Sequence, residues 1–340
     1  LTELHVDPLP GIHDDPLAAL RKQAIARATA AGDTAAAQAL AAPAVRPVRI
    51  GGEGRGLAWS EDGRRLAIQL RAIDNKDRWI ASVDFAHHAL VPEHRLTDPA
   101  WINWNFNDFG WLKDGSTLWY LSEESGWSQL YLKPAGGKAR ALTRGHFEVS
   151  APELSPDGQW FYLRANREAP WSYDVYRVPV AGGELARVTH YQGLDGFALA
   201  PDGTRLAVLH SAPYVLPQLA VMQADGSAPR ELTHSMKPAF SHRAWIAPEI
   251  VEVPSTHGAG HIAAKYYGPA QDDGAARPAV IFVHGAGYLQ NVTLGWSNYF
   301  REQMFHNLLV QKGYVVLDMD YRASEGYGRD WRTAIYRNMG

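Results

Sequence analysis

Three features of the 340-residue sequence predict its fold class. An aliphatic residue followed by threonine recurs at Leu96-Thr97, Leu142-Thr143, Val188-Thr189 and Leu232-Thr233, at spacings of 46, 46 and 44 residues. Upstream of each closure lies an Asp-Gly pair between apolar runs, at Asp62, Asp114, Asp157 and Asp202. After Phe240 this pattern gives way to an apolar run, a helical segment and a second apolar run. A period of roughly 45 residues with several strands per unit is that of a propeller blade. Strand, helix, strand is the order of a βαβ unit. The predicted fold class is a β-propeller, with four recognisable blades as part of a larger propeller, plus the N-terminal part of an α/β-hydrolase domain. The expected organisation is an Ala-rich helical segment over 1–47, propeller blades over 48–245 and the start of the hydrolase domain over 246–340.

The N-terminal element follows from composition. Between Asp14 and Ala42 the chain is rich in Ala, Leu, Arg, Lys and Gln, which are strong helix formers. Asp14 or Asp15 before Pro16 is the expected cap, with proline in the first turn. Gly32 and Asp33 separate two helices, and Pro43 and Pro47 end the helical part. A surface helical hairpin is expected.

From Val48 onward each repeat reads as strands joined by tight turns. Asp-Gly between apolar runs is a hairpin signal, because glycine reaches φ > 0 at low cost. These aspartates are therefore read as turn residues and not as metal ligands. A further loop precedes three of the closures, at Ala135-Gly136-Gly137, Ala181-Gly182-Gly183 and Ala224-Asp225-Gly226. Most of the 12 tryptophans and 15 tyrosines fall between Trp59 and Trp245, where aromatic residues favour strands.

Beyond Phe240 the expectations are local. The segment from Ile250 to Pro269 reads as two strands joined by a glycine-bearing turn. His257 and His261 flank that turn, and Gly258 and Gly260 between them argue for a hairpin over a helical metal site. Gln271 to Pro278 reads as a polar loop. Ala279 to Val283 is a continuous apolar run, as in a strand buried on both faces. Asn298 to Gly313 has helical periodicity, and Tyr314 to Met319 is the second strand of the unit.

Composition narrows the function classes. A net charge of -3 gives no broad basic surface, so no nucleic-acid partner is expected. Cysteine is absent, which removes disulfides, thiolate metal sites and cysteine nucleophiles. The apolar runs are far shorter than the roughly 20 residues of a membrane span. No cofactor and no metal are expected. The sequence begins at Leu1 without a signal-peptide pattern and is expected to have been processed or trimmed; a periplasmic or secreted location is the expectation.

The chemistry points to His284 through Gln290, HGAGYLQ, which follows one strand and precedes a helix. Small residues at such a turn leave backbone N–H groups exposed, and these can stabilise an oxyanion during acyl transfer. In α/β-hydrolases one N–H of that hole comes from the loop at this place, often with an HG-rich motif. His284, Gly285 and Tyr288 are the oxyanion-hole candidates.

At VIFVHGAGYLQNV (Val280 to Val292) and GYVVLDMDYRASEGYGRDW (Gly313 to Trp331), the sequence resembles the prolyl oligopeptidase family of serine peptidases. SEESGWSQLYL (Ser122 to Leu132) is similar to a propeller motif of its dipeptidyl-peptidase branch. The resemblance covers roughly Val48 to Gly340. It implies a propeller over an α/β-hydrolase domain that cleaves short peptides with a Ser-Asp-His triad. Family members often carry a tyrosine at or near the position of His284. The family's Gly-x-Ser-x-Gly motif does not occur here: Ser128 and Ser297 lack the second glycine, and Ser324 lacks the first. No catalytic residue is therefore assigned in this chain; the triad Ser, acid and His, in that order, is expected after Gly340, and the fragment alone is expected to be inactive.

Glu123 and Glu124 are candidates for the substrate's amine, since dipeptidyl-peptidases bind a free amine with paired glutamates on the propeller; a solvated turn is the plainer reading. Asn291-Val292-Thr293 is a formal glycosylation sequon. The expected function is a serine-type peptidase acting on short peptides. The alternatives are a propeller binding module with a non-catalytic hydrolase-like tail, and an esterase on the same fold.

Overall fold

The structure, a computed structural model, describes residues 3–42, 46–51, 56–258, 260–269 and 274–338. The chain forms two compact units, Leu1–Tyr120 with Lys133–Lys138, and Leu121–Leu132 with Ala139–Gly340.

In the first unit, helices α1 (Ala18–Ala30) and α2 (Thr34–Ala41) form the expected hairpin, and neither buries a residue. Asp33 caps α2 by accepting the Ala36 N–H at 2.9 Å. The start of α1 differs from expectation. The Asp15 side chain accepts the Leu17 N–H and its carbonyl accepts the Ala18 N–H, so Asp15-Pro16-Leu17 closes a turn and the helix begins after it. Of the two prolines expected to end the helical part, Pro43 lies outside the described residues.

Strands β1 (Val48–Ile50), β2 (Leu57–Trp59), β3 (Leu66–Ala72), β4 (Asp77–Asp84) and β5 (Ala89–Thr97) form an antiparallel sheet. The stretch before α1 joins its core: Leu9 and Ile12 pack with Leu70 and Trp79, and the Trp79 indole donates to the Pro10 carbonyl at 2.8 Å. Strands β6 (Phe109–Trp111), β7 (Thr117–Ser122), β8 (Gln129–Pro134) and β9 (Arg140–Ala141) follow in one sheet in that order.

In the second unit, β10 (Val149–Leu154), β11 (Trp160–Ala169), β12 (Ser172–Pro179) and β13 (Ala186–Arg187) make one antiparallel group. Strands β14 (Leu194–Leu199), β15 (Arg205–Ala212), β16 (Val215–Gln223) and β17 (Arg230–Glu231) make the next. A single parallel pair, Tyr173 with Leu194, links the two. Their shared core includes Tyr162, Val175, Val188, Leu206, Val208 and Met222.

The repeat residues occupy repeated positions. Gly63, Gly115, Gly158 and Gly203 all sit at φ between 64° and 72°, where a side chain is costly. Each preceding aspartate accepts the N–H two residues on, at 2.8–3.0 Å. In the second unit the closing threonines also have one job. The hydroxyl oxygens of Thr143, Thr189 and Thr233 accept the N–H of Leu130, Val175 and Leu219, each at 2.9 Å.

After the four-residue helix α3 (Pro238–Ser241), β18 (Glu249–Pro254) and β19 (His261–Tyr267) form the expected hairpin. With β20 (Ala279–Val283) and β21 (Val315–Met319) they build a sheet in the order β18-β19-β21-β20. Strands β20 and β21 are parallel, joined through helix α4 (Phe300–Gln311). Of the loop expected at Gln271 to Pro278, residues 271–273 lie outside the described residues. One expectation is corrected: β20 is not buried on both faces. Among the described residues it pairs with β21 alone, and while Phe282 packs against His306 of α4, Ile281 and Val283 on the other face are 62% and 61% exposed. Helix α5 (Arg329–Thr333) is the last element. No helix among the described residues is long and apolar enough to cross a membrane.

Candidate active site

Two loops leave the carboxyl ends of the parallel strands β20 and β21, the place where open α/β sheets bind ligands. They are locked together around Asp320. Its Oδ1 accepts from the His284 Nε2 and from the Asn291 N–H, both at 2.8 Å. Its Oδ2 accepts the Tyr327 hydroxyl at 2.8 Å and the Val292 N–H at 3.2 Å. The side chains of His284 and Asp320 are both 0% exposed. Two more bonds tie the loops: Tyr321 donates its hydroxyl to the His284 carbonyl at 2.7 Å, and the Gly287 N–H donates to the Ala323 carbonyl at 2.7 Å. Ala323 pays for this in backbone strain, since it sits at φ 121°.

The structure thus places His284 beneath its loop, with its ring turned to Asp320. Gly285 and Ala286 lie at the surface, and Tyr288 is half exposed beside them. Of this turn's backbone N–H groups, that of Gly287 is taken by the Ala323 carbonyl, which leaves those of Gly285 and Ala286 as candidates. Gly287 has φ 98° and open space where a Cβ would be, so its glycine serves the backbone and not a tight contact.

Burial opposes charge on the His284 ring, but the hydrogen bond and negative charge of Asp320 outweigh it and hold its pKa above the ordinary value. Burial raises the Asp318 carboxyl and lowers the Lys265 ammonium. The hydroxyl of Tyr327 is pushed far up by burial and by the adjacent Asp320.

Glu123 and Glu124 part company. Glu124 is exposed, as a solvated turn requires. Glu123 is buried, and its Oε2 accepts from the Arg332 guanidinium at 2.8 Å. The expectation of a solvated turn fails for Glu123 because α5 delivers a buried cation to it. Gly328 permits this approach: a Cβ there would meet the Gly126 carbonyl oxygen at 3.0 Å and the Trp127 ring. Next to the pair lies Glu148, whose Oε1 accepts the Gly328 N–H at 3.0 Å. Its Oε2 is buried without a hydrogen-bond partner among the described residues. Burial, then the charges of Glu325 and Glu123, push its pKa up to about 8.

The serines weighed as nucleophiles are committed elsewhere. Ser128 donates to the Val149 carbonyl, Ser297 to Asn291 and Ser324 to the Tyr321 carbonyl, and all three are buried. The sequon is closed as well: Asn291 is buried and its amide donates to Asp318 at 2.6 Å. Among the described residues no group of three or more His, Cys, Asp or Glu is placed to hold a metal.

Sequence reasoning missed Asp320, Glu148 and Arg332. Asp320 lay inside the quoted DYRASEGYG segment, and its place directly after an apolar strand was the available signal. Glu148 and Arg332 are far apart in sequence and carried none.

A propeller-type N-terminal region leading into a parallel βαβ unit with an HGAG turn defines the class of protein. The family description "Dipeptidyl peptidase IV (DPP IV) N-terminal region" matches residues 55–217, and "Prolyl oligopeptidase family" matches residues 299–340. Over these two regions the chain is similar to the prolyl oligopeptidase family and to its dipeptidyl-peptidase branch. Its fold is similar to that of dipeptidyl peptidase 4 from Porphyromonas gingivalis, with TM-score 0.68 and 18% identity over 82% of this chain and 40% of that one. It is also similar to a Bacteroides ovatus protein assigned as a dipeptidyl aminopeptidase IV, with TM-score 0.69 and 17% identity over 87% of this chain and 44% of that one. Among curated relatives, the uncharacterized protein Atu1656 of Agrobacterium fabrum is 29% identical over 181 residues, 52% of this chain and 57% of the relative. The chain spans about half the length of the relatives it matches.

Proposed function

We propose that these residues form part of a serine-type peptidase that cleaves short peptides by acyl transfer. In this reading the antiparallel groups over 48–245 are propeller blades, four within this chain, that restrict access to small substrates. Residues 246–340 begin the α/β-hydrolase domain, after the helical segment 1–47. The HGAG turn supplies oxyanion donors: the Gly285 N–H first, with Tyr288 at its edge and His284 fixing the loop from below. Of the paired glutamates, Glu124 is the exposed one and the candidate for a substrate's amine, while Glu123 is buried against Arg332. The observation that carries the reading is the HGAG turn at the carboxyl end of β20, bound through Asp320 to the loop after β21.

The nucleophile of this mechanism is a serine in Gly-x-Ser-x-Gly, a motif absent from the 340 residues. A propeller binding module with a non-catalytic tail is the second reading. An esterase on the same fold is separated by substrate choice. The test uses fluorophosphonate labelling with chromogenic peptide and ester substrates. Residues 1–340 alone are expected to stay unlabelled and inactive. Protein that also contains a Gly-x-Ser-x-Gly segment is expected to label at that serine and to prefer peptides. Stoichiometric labelling of a serine within residues 1–340 would show the active site to be elsewhere, and a preference for esters would favour the esterase.

A further inference from the structure

The ring of His284 has no neutral form that fits its surroundings. A neutral imidazole has one N–H and one acceptor nitrogen. Here Nδ1 lies 2.7 Å from the Gly285 carbonyl oxygen, which can only accept. Nε2 lies 2.8 Å from Asp320 Oδ1. Asp320 accepts at both oxygens, from the Asn291 N–H, the Val292 N–H and the Tyr327 hydroxyl, so the ring meets an acceptor there as well. Ser324 Oγ stands 3.3 Å from Nε2, but its one proton is committed to the Tyr321 carbonyl at 2.7 Å. Both ring nitrogens must therefore be donors. A neutral ring would set a lone pair against an oxygen lone pair, at a side chain that is itself shut off from solvent.

We infer that His284 is a buried imidazolium, and that it is a positioning residue which charges the candidate oxyanion loop. Its Nδ1–H bond to the Gly285 carbonyl fixes the Gly285–Ala286 peptide. It also draws electron density from that peptide, which makes the Ala286 N–H a stronger donor. The His284–Asp320 pair is a dipole with its positive end on the loop. Fixed dipoles of this kind aimed at developing negative charge are what stabilise an oxyanion. The family resemblance implies a tyrosine hydroxyl near this position; the chain uses a cation under the backbone instead.

The inference rests on the proposed peptidase reading. The groups around the ring are Asp318 on β21, Asp320 directly after it, and Tyr321 and Ser324 in the following loop; Lys265 on β19 and Tyr327 act on the two carboxylates. Asp320 is the carboxylate hydrogen-bonded to it. Losing the Asp320 carboxylate should release the proton, while Asp318 supports the cation only through space.

The test has one arm that needs no activity. Protein labelled with ¹⁵N-histidine is examined by long-range proton–nitrogen correlation between pH 6 and 8. Both ring nitrogens of His284 are expected to be protonated across that range, and the Asp320→Asn variant should show a neutral ring at pH 7. A wild-type ring with one bare nitrogen at pH 7 overturns the inference whatever the enzyme does. The second arm measures kcat and KM for peptide hydrolysis by protein that contains the nucleophile segment. His284→Gln keeps a neutral donor toward Asp320 but no charge. A loss on the order of 10-fold in kcat is expected, with KM nearly constant. Wild-type kcat should fall as pH rises through the ring's titration. That limb should move to lower pH in Asp320→Asn and disappear in His284→Gln. If His284→Gln melts like wild type and keeps its kcat and alkaline limb, the charge does not serve the loop. If wild type hydrolyses no peptide, the peptidase reading fails, and the spectra still decide the state of His284.

Discussion

The Nε2 of His284 and the Oδ1 of Asp320 lie 2.8 Å apart, both side chains sealed from solvent, and they join the loops that follow two parallel strands. The same carboxylate receives two backbone N–H groups and a tyrosine hydroxyl. Removing it strands several buried donors at once.

Asp320→Ala should therefore be among the most destabilising single changes in this part of the chain. Breaking a buried pair by deleting one partner costs about 3–5 kcal/mol. Asp320→Asn keeps the shape and two acceptor lone pairs and should cost less. Chemical denaturation with a constant slope checks this, and an Asp320→Ala protein within about 0.5 kcal/mol of wild type would mean that the loops are held by other contacts.

Glu148 gives a pH dependence with a defined sign. Its folded-state pKa of about 8 lies above the ordinary value of 4.5. The stability it contributes is thus complete below the ordinary value and is lost as pH rises through about 8, when a further anion forms beside Glu123 and Glu325. Glu148→Gln should remove that loss. Melting temperatures at pH 6 and pH 9 should fall more for wild type than for the variant; equal falls would place the titration elsewhere.

The repeat was the most legible part of the fold. Asp-Gly turns and closing threonines are local in sequence, and their roles at Gly158 and Thr189 follow from backbone chemistry that any context preserves. The HGAG turn was legible for the same reason. What holds it was not. Asp320 is 36 residues from His284, and Arg332 is 209 residues from Glu123. Such pairs depend on which surfaces meet, which periodicity does not encode.

The closing threonines make a graded series. Thr143→Val and Thr189→Val each strand a buried backbone N–H, at Leu130 and Val175, and should cost about 1–3 kcal/mol. Thr233 is partly exposed, so water can replace its hydroxyl and Thr233→Val should cost less. Denaturant midpoints of the three variants check the order; equal costs would remove the hydrogen bond as the reason for the repeat.

The central claim is that the turn after His284 donates backbone N–H to an oxyanion. Gly285→Pro deletes one donor and fixes φ near -65°. Gly287→Val is the control for strain, because its φ of 98° disfavours any side chain although there is open space for a Cβ. The deciding measurement is kcat for peptide hydrolysis by Gly285→Pro in protein that contains the nucleophile segment and melts like wild type. A fall of about 10²–10³ in kcat, with KM changed much less, is expected. Wild-type kcat in that normally folded variant would contradict the assignment and reduce the HGAG turn to a connection.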